Sequence, residues 1–211
     1  MAITFDLFGT LVDAEYPDSP SSAVADELSE LGVSVPDDWD DAYREVHIDA
    51  PDGAEVPLPA HVAAALRSRG ATSPDNAARR AVVNAFDPEV TTRPGAVDAV
   101  KTARECGSVG LLSNCSVPEL VSRTLIRSDL GRRDFDDITT SVACGWRKPH
   151  EQAFEASARG LGVAPSDVTH VGDDPATDGG IEALGGQFVN LRETTLDAFA
   201  ARIRRGDGPC P

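Results

Sequence analysis

The chain has 211 residues, 41% hydrophobic and 26% charged, enough for one sizeable core or a core with a small inserted lobe, and its composition excludes collagen, coiled coil and extended disorder. Thirty-five acidic residues against nineteen Lys and Arg leave a formal net charge of −16, which repels nucleic acid and anionic membrane surfaces. No apolar run approaches a membrane span, and Met1 leads directly into a strand-like segment without a basic n-region or cleavage site. The expectation is a soluble, cytoplasmic monomer or homodimer whose partner is a small-molecule substrate, with no nucleic acid and no membrane.

In chain order, residues 2–8 read as a short apolar strand closed by Gly9-Thr10. Residues 13–92 read as a mostly helical, acidic stretch. Within it, residues 23–31, 39–47, 61–69 and 75–86 have helical apolar spacing, with Pro and Gly between them, and Pro51-Asp52-Gly53 and residues 57–59 mark a long loop. Residues 13–55 carry fourteen acids against a single base, Arg44. From Pro94-Gly95 the texture alternates: a helix through Val97, Val100 and Ala103, a strand at 109–113, a helix near 118–126, and a strand at 138–142. A helix at 151–161, a strand at 168–171, a helix near 180–184 and a strand at 188–191 complete it.

That alternation predicts right-handed crossover units in an α/β fold: a doubly wound parallel sheet, Rossmann-like, with helices on both faces. Residues 1–12 and 93–211 form the α/β core domain, and residues 13–92 form a small inserted α-helical cap domain. The insertion follows the carboxyl end of the first strand, where open α/β sheets bind their ligands.

Cys106, Cys115, Cys144 and Cys210 lack metal-ligand spacing and read as reduced and mostly structural, and the dispersed His47, His61, His150 and His170 give little support for a zinc cluster. Only Lys101 and Lys148 are lysines. An acidic, lysine-poor surface that uses arginine, on a chain with few aromatics, resembles proteins that are halophilic and work in molar salt. An ordinary acidic protein from a GC-rich genome is the alternative.

Four patterns fall just past four strands. In Phe5-Asp6-Leu7-Phe8-Gly9-Thr10-Leu11, an Asp past an apolar strand and a Gly that permits a sharp turn leave a carboxylate free to act as nucleophile or cation ligand, or to cap the next turn. Leu111-Leu112-Ser113-Asn114 offers a hydroxyl and an amide suited to an oxyanion, or to a simple turn. Gly145-Trp146-Arg147-Lys148-Pro149 places a cationic pair before a Pro that begins a helix. His170-Val171-Gly172-Asp173-Asp174-Pro175-Ala176-Thr177-Asp178 brings three carboxylates into six residues, oxygen-only ligation that points to Mg²⁺ over zinc unless the loop is simply solvated.

In this order, DxFGTL, SN, RKP and GDDxxxD resemble the four signature motifs of the haloacid dehalogenase-like (HAD) hydrolase superfamily, and a helical insertion after the first motif resembles its cap. The resemblance implies that Asp6 is a nucleophile forming a covalent aspartyl intermediate, that Ser113 hydrogen-bonds the transferring group and that Lys148 neutralises charge on both. It implies Mg²⁺ held by Asp6, the backbone carbonyl of Phe8 and Asp173, with Asp174 or Asp178 in support. Gly9, Thr10, Asn114 and Arg147 are the accompanying substrate-binding candidates.

One position departs from the pattern. Phosphatases of the superfamily generally carry a second Asp two residues after the nucleophile as general acid and base, and this chain has Phe8 there. The resulting expectation is a Mg²⁺-dependent phosphohydrolase of a small phosphorylated metabolite, with Phe8 favouring leaving groups that need little protonation. The alternatives are a metal-independent 2-haloacid dehalogenase, which Phe8 suits and the acidic fourth motif does not, and a non-hydrolytic module that binds phosphate or a partner. A dehalogenase would want an arginine for the substrate carboxylate, and Arg44 more simply pairs with Asp40 or Asp41. Trp39 and Trp146 are expected to pack, and His150 and His170 to support other residues or turns.

Overall fold

A computed structural model describes residues 1–74 and 76–209. Its centre is a five-stranded parallel sheet in the order β5-β4-β1-β6-β7, formed by β1 (Ala2–Phe5), β4 (Ser108–Ser113), β5 (Asp137–Thr140), β6 (Val168–Gly172) and β7 (Gln187–Asn190). Central strands buried on both faces need near-continuous apolar sequence, and Ala2-Ile3-Thr4-Phe5 is buried throughout. The chain winds outward from β1 first to β4 and β5 and then, on the other side, to β6 and β7. The carboxyl ends of β1, β4 and β6 therefore meet at a switch point.

Alternation along the strands divides the core. Ile3, Phe5, Val109, Leu111 and Val171 face α5 (Ala96–Cys106) and α9 (Leu196–Arg204), and the Phe5 and Phe199 rings meet edge to face at 5.9 Å. Leu112 and Val168 face the opposite side, against Ala153, Phe154 and Ala158 of α8 (Glu151–Leu161) and Ile181. The doubly wound α/β expectation therefore holds.

Between β1 and α5, a two-stranded antiparallel ribbon of β2 (Val12–Ala14) and β3 (Val90–Thr92) brackets four helices: α1 (Pro20–Glu30), α2 (Trp39–Arg44), α3 (Leu58–Ser68) and α4 (Ala77–Ala85). Their apolar faces, among them Val24, Leu28, Val62, Leu66 and Val82, join one cluster with Leu7, Leu11 and Val12. Trp39 is 5% exposed and donates its indole N–H to the Ser21 carbonyl, so it packs as expected. Arg69 bridges Asp38 and Glu45 at 2.8 and 2.6 Å, Arg79 of α4 pairs with Glu119, and Arg127 of α6 (Leu120–Arg127) pairs with Asp87.

The structure departs from the sequence reading in local ways. β1 ends at Phe5 because the Leu7 carbonyl leaves the ladder to accept the N–H groups of Thr10, Leu11 and Val12. β5 stops at Thr140 because Ser141 begins a short helix, α7 (Ser141–Cys144). The segment read as a helix near 180–184 is 3₁₀ over Asp178–Leu184, and the fourth inserted helix begins at Ala77, the predicted start at Asp75 lying outside the described residues. The ribbon and α9 were not anticipated. Cys106 is disulfide-bonded, so the reduced reading fails there, whereas Cys115 and Cys144 are free thiols; Cys210 lies outside the described residues. Among the described residues, no helix is long and apolar enough to cross a membrane.

The net charge of −16 makes stability salt-dependent. Screening shortens from about 10 Å at 0.1 M to about 3 Å at 1 M salt, relieving self-repulsion more than it weakens the exposed arginine pairs. Thermal unfolding followed by circular dichroism should show the midpoint rise by at least about 3 °C, on the order of 1 kcal/mol, between 0.1 and 2 M KCl. A fall would mean that the arginine pairs outweigh the net repulsion.

Candidate active site

Asp6 directly follows β1, and its N–H still pairs with the Val171 carbonyl of β6 at 2.9 Å, which fixes the carboxylate at the strand tip. The chain then turns sharply at Gly9, whose φ is +83°. A side chain there would meet the Asp173 carboxylate, with the nearest oxygen 2.9 Å from a Cβ, so glycine serves both the turn and the close approach.

Lys148, 3% exposed, is the hub. Its Nζ donates to Asp6 Oδ1 at 2.7 Å, Asp178 Oδ1 at 2.6 Å and the Leu112 carbonyl at 2.9 Å, using all three of its hydrogens. Asn114 holds its backbone from both sides: Asn114 Nδ2 donates to the Lys148 carbonyl at 2.9 Å, and the Lys148 N–H donates to Asn114 Oδ1 at 2.8 Å. Burial pushes the Lys148 ammonium down, but the charges of Asp6 and Asp178 outweigh it and leave the pKa raised.

The carboxylates diverge in character. Burial raises Asp6 to about 6, against the downward pull of Lys148. Asp178 is also opposed by burial, yet the His170 hydrogen bond and the Lys148 charge hold it well below the usual carboxylate range. Its Oδ2 accepts the Asp174 N–H at 3.0 Å. His170, fully buried on β6, is pushed down to about 4 by burial and then by Lys148, so it is neutral at pH 7. It lies 3.2 Å from Asp178 Oδ1 through Nε2 and 2.8 Å from Thr4 Oγ1 through Nδ1, a support for Asp178.

Oxygens of Asp6, Asp173 and Asp178 lie within 4.8 Å of one another, an all-oxygen set of the kind hard cations select. The residues around them line a cavity of about 250 Å³ bounded by Asp6, Phe8, Asn114, Lys148, Asp173, Asp174, Thr177 and Asp178. Ser113 Oγ, at the end of β4, is buried without a hydrogen-bond partner among the described residues. A buried hydroxyl left unpaired is costly unless a ligand completes it.

The structure thus brings together Asp6, Lys148, Asp173 and Asp178, with Asn114 and the Phe8 position at the cavity wall. Ser113, Thr10 and Arg147 are not among the residues that line the cavity, and Asp174, which is, makes other contacts. Thr10 is fully buried and donates to Asp173 Oδ1 at 3.0 Å, which makes it a support for that carboxylate and not a wall of the cavity. Arg147 points outward with its side chain 55% exposed, 3.8 Å from Glu55, because the backbone at 147 pairs with Gly53. Asp174 borders the cavity but turns its carboxylate to Arg192 at 3.3 Å and to its own turn, outside the oxygen cluster. Arg44 pairs with Asp40 at 3.6 Å, as its spacing suggested.

Thr4, Thr177, Ser141 and Glu55 were missed. Thr4 and Ser141 carry a signal in hindsight, being polar residues at apolar strand or strand-end positions. Glu55 in a loop carries none.

A family model for haloacid dehalogenase-like hydrolases matches residues 1–185, and the chain belongs to that family. No curated protein matches the chain in sequence. Solved structures share the fold. CbbY from Rhodobacter sphaeroides in complex with phosphate is 21% identical with a TM-score of 0.58, over 89% of this chain and 84% of that one. The HAD family enzyme BT-2542 from Bacteroides thetaiotaomicron, in complex with magnesium and inorganic phosphate, is 17% identical with a TM-score of 0.59, over 90% and 92%. A 2-haloacid dehalogenase from Pseudomonas syringae pv. Tomato is 17% identical with a TM-score of 0.63, over 97% and 98%.

Removing the buried ammonium should be severe, because it leaves Asp6 and Asp178 without their counter-charge. Lys148→Met is expected to cost about 3–5 kcal/mol in urea unfolding at pH 7.5. A loss below about 1 kcal/mol would show that the carboxylates do not depend on Lys148 for their burial.

Proposed function

We propose that the protein is a Mg²⁺-dependent phosphohydrolase acting on a small substrate with a single phosphoryl group, through an aspartyl-phosphate on Asp6. The observation that carries this reading is charge. Asp6, Asp173 and Asp178 meet with Lys148 as the one cation lining the cavity among the described residues, which leaves this cluster two negative charges in excess, a charge one divalent ion balances; Asp174, the fourth carboxylate at the wall, is paired with Arg192 at 3.3 Å. Asp6, the Phe8 carbonyl and Asp173 would hold the ion, with Asp178 beside them. Bound there, Mg²⁺ would neutralise charge on the phosphoryl oxygens and draw the substrate to an otherwise anionic site.

The chain's own residues supply the rest. A carboxylate oxygen of Asp6 attacks phosphorus, and the bond to the leaving oxygen breaks with its electron pair. Water then attacks the same phosphorus, returning the Asp6 carboxylate and inorganic phosphate. Lys148 keeps Asp6 ionised near neutrality despite its burial, and Ser113 Oγ has a free hydrogen for a phosphoryl oxygen. Phe8 cannot protonate the leaving group; its ring packs edge to face on Tyr16 with centroids 5.8 Å apart. An acyl phosphate, whose leaving carboxylate needs no proton, suits this wall better than an alkyl phosphate.

Phe8 also favours a second reading, a metal-independent 2-haloacid dehalogenase, since expulsion of halide needs no proton. Against it, no arginine lines the cavity among the described residues, and an uncompensated carboxylate cluster is electrostatically costly.

The deciding measurement is phosphate release from acetyl phosphate and p-nitrophenyl phosphate with Mg²⁺ or EDTA, at low and molar KCl. Turnover should vanish in EDTA and fall more than about a thousandfold in Asp6→Asn. Folded protein that releases no phosphate, yet frees halide from 2-chloropropionate in EDTA, would overturn the proposal in favour of the second reading. Restoring an acid with Phe8→Asp should raise kcat for alkyl phosphates at least about tenfold while leaving acetyl phosphate little changed. Equal effects on both would remove the leaving-group argument.

A further inference from the structure

The loop between α2 and α3 carries a buried carboxylate that the reaction does not use. Glu55 is 9% exposed, its side chain only 2%, although it sits in an irregular segment of the most acidic part of the chain. A buried carboxylate requires partners. Glu55 has Ser141 Oγ, which donates to its Oε2 at 2.5 Å, and the more distant Arg147 Nε at 3.8 Å.

The Ser141 hydroxyl also accepts the Cys115 N–H at 2.7 Å. Cys115 follows Ser113 and Asn114 directly, so Glu55 orients the hydroxyl that pins the end of the β4 turn. From there the chain of contacts runs through the Asn114 amide to both backbone groups of Lys148. The same loop grips the Lys148 segment itself. The Glu55 N–H donates to the Gly145 carbonyl at 2.8 Å and the Arg147 N–H to the Gly53 carbonyl at 2.9 Å, with Ala54 bridged antiparallel to Trp146. Gly53 has φ +79°, and a Cβ there would lie 2.6 Å from the His150 ring, itself stacked on Trp146 at 4.2 Å. Leu58 N–H closes the strap on the Ser116 carbonyl at 2.9 Å.

We propose that Glu55 is a positioning residue for the active site: through Ser141 it fixes the turn at 113–115, and with it the Asn114 clamp that aims Lys148 at Asp6. Its kinetic consequence rests on the phosphohydrolase reading; its geometric consequence does not.

Two lysines in the whole chain make the geometric test clean. Lys101 is exposed and serves as an internal reference for Lys148, which is 3% exposed. Reductive methylation followed by peptide mass spectrometry, on protein shown folded by circular dichroism, reads their relative reactivity. In Glu55→Ala, labelling of Lys148 relative to Lys101 should rise at least about tenfold, and Glu55→Gln, which retains an acceptor for Ser141, should stay within about threefold of the starting protein. Ser141→Ala should resemble Glu55→Ala, and it decides the matter if Glu55→Ala does not fold.

In the kinetic arm, Glu55→Ala should lower kcat for acetyl phosphate by about 10- to 100-fold with KM changed less than about threefold, and Glu55→Gln should restore it. Lys148 protection unchanged in the folded alanine variants, or no rescue of protection by glutamine, would overturn the proposal. Absence of phosphate release by the unmodified protein would instead count against the phosphohydrolase reading, leaving the labelling result to judge Glu55.

Discussion

The structure is organised around one buried ammonium. Lys148 is almost inaccessible to water, and a cation there is tolerated only because its three hydrogens meet Asp6, Asp178 and the Leu112 carbonyl. Those partners come from the ends of β1 and β4 and from the start of the 3₁₀ segment after β6, so the sheet order that makes these three strands neighbours is the condition for burying the charge. The dependence runs both ways, since Asp6 and Asp178 are buried carboxylates that the lysine keeps compatible with a closed core.

Around this hub the supporting residues have separable tasks. Thr10 and Gly9 set where Asp173 stands, one by a hydrogen bond and the other by leaving space. His170, neutral and anchored by Thr4, engages Asp178 without adding a charge that would compete with Lys148. Asn114 spends its amide on the Lys148 backbone. Ser113 is left with a buried hydroxyl that has no hydrogen-bond partner among the described residues.

The core was legible in the sequence because strand and helix periods alternate from Pro94 onward and because α8 at Glu151–Leu161 carries Ala153, Phe154 and Ala158 on one face. The candidate site was legible where a charged residue follows an apolar stretch and has few other uses, as with Asp6 and Asp173 just past β1 and β6 and Lys148 beyond α7. The side-chain directions of Thr10, Arg147 and Asp174 were not legible, because adjacency in a motif does not say which way a side chain turns: backbone pairing at Arg147 and the local turn at Asp174 decide that. The β2–β3 ribbon escaped because three-residue strands have no measurable period. α9 did leave a signal, an N-capping Thr195 followed by Leu196, Phe199, Ala200 and Ile203, and its role became evident only from Phe199 against Phe5.

The inserted helices and the cluster around Lys148 obey different physics, yet one segment belongs to both. The helices are held by apolar faces and by surface arginine pairs whose individual contributions are small. The strap at 53–58 is held instead by directional backbone bonds and a buried carboxylate, both of which lose strength steeply with displacement. Because its bonds end on the loops that carry Asn114 and Lys148, any movement of the strap away from the sheet must break the Glu55 contact with Ser141 and the bridge to Trp146 together. A helical insertion seated by weak, distributed contacts thereby acts on the site through a few strong local ones. On the positioning role proposed for Glu55, the aim of Lys148 depends on the strap being in place, although the strap lends no side chain to the described cavity wall.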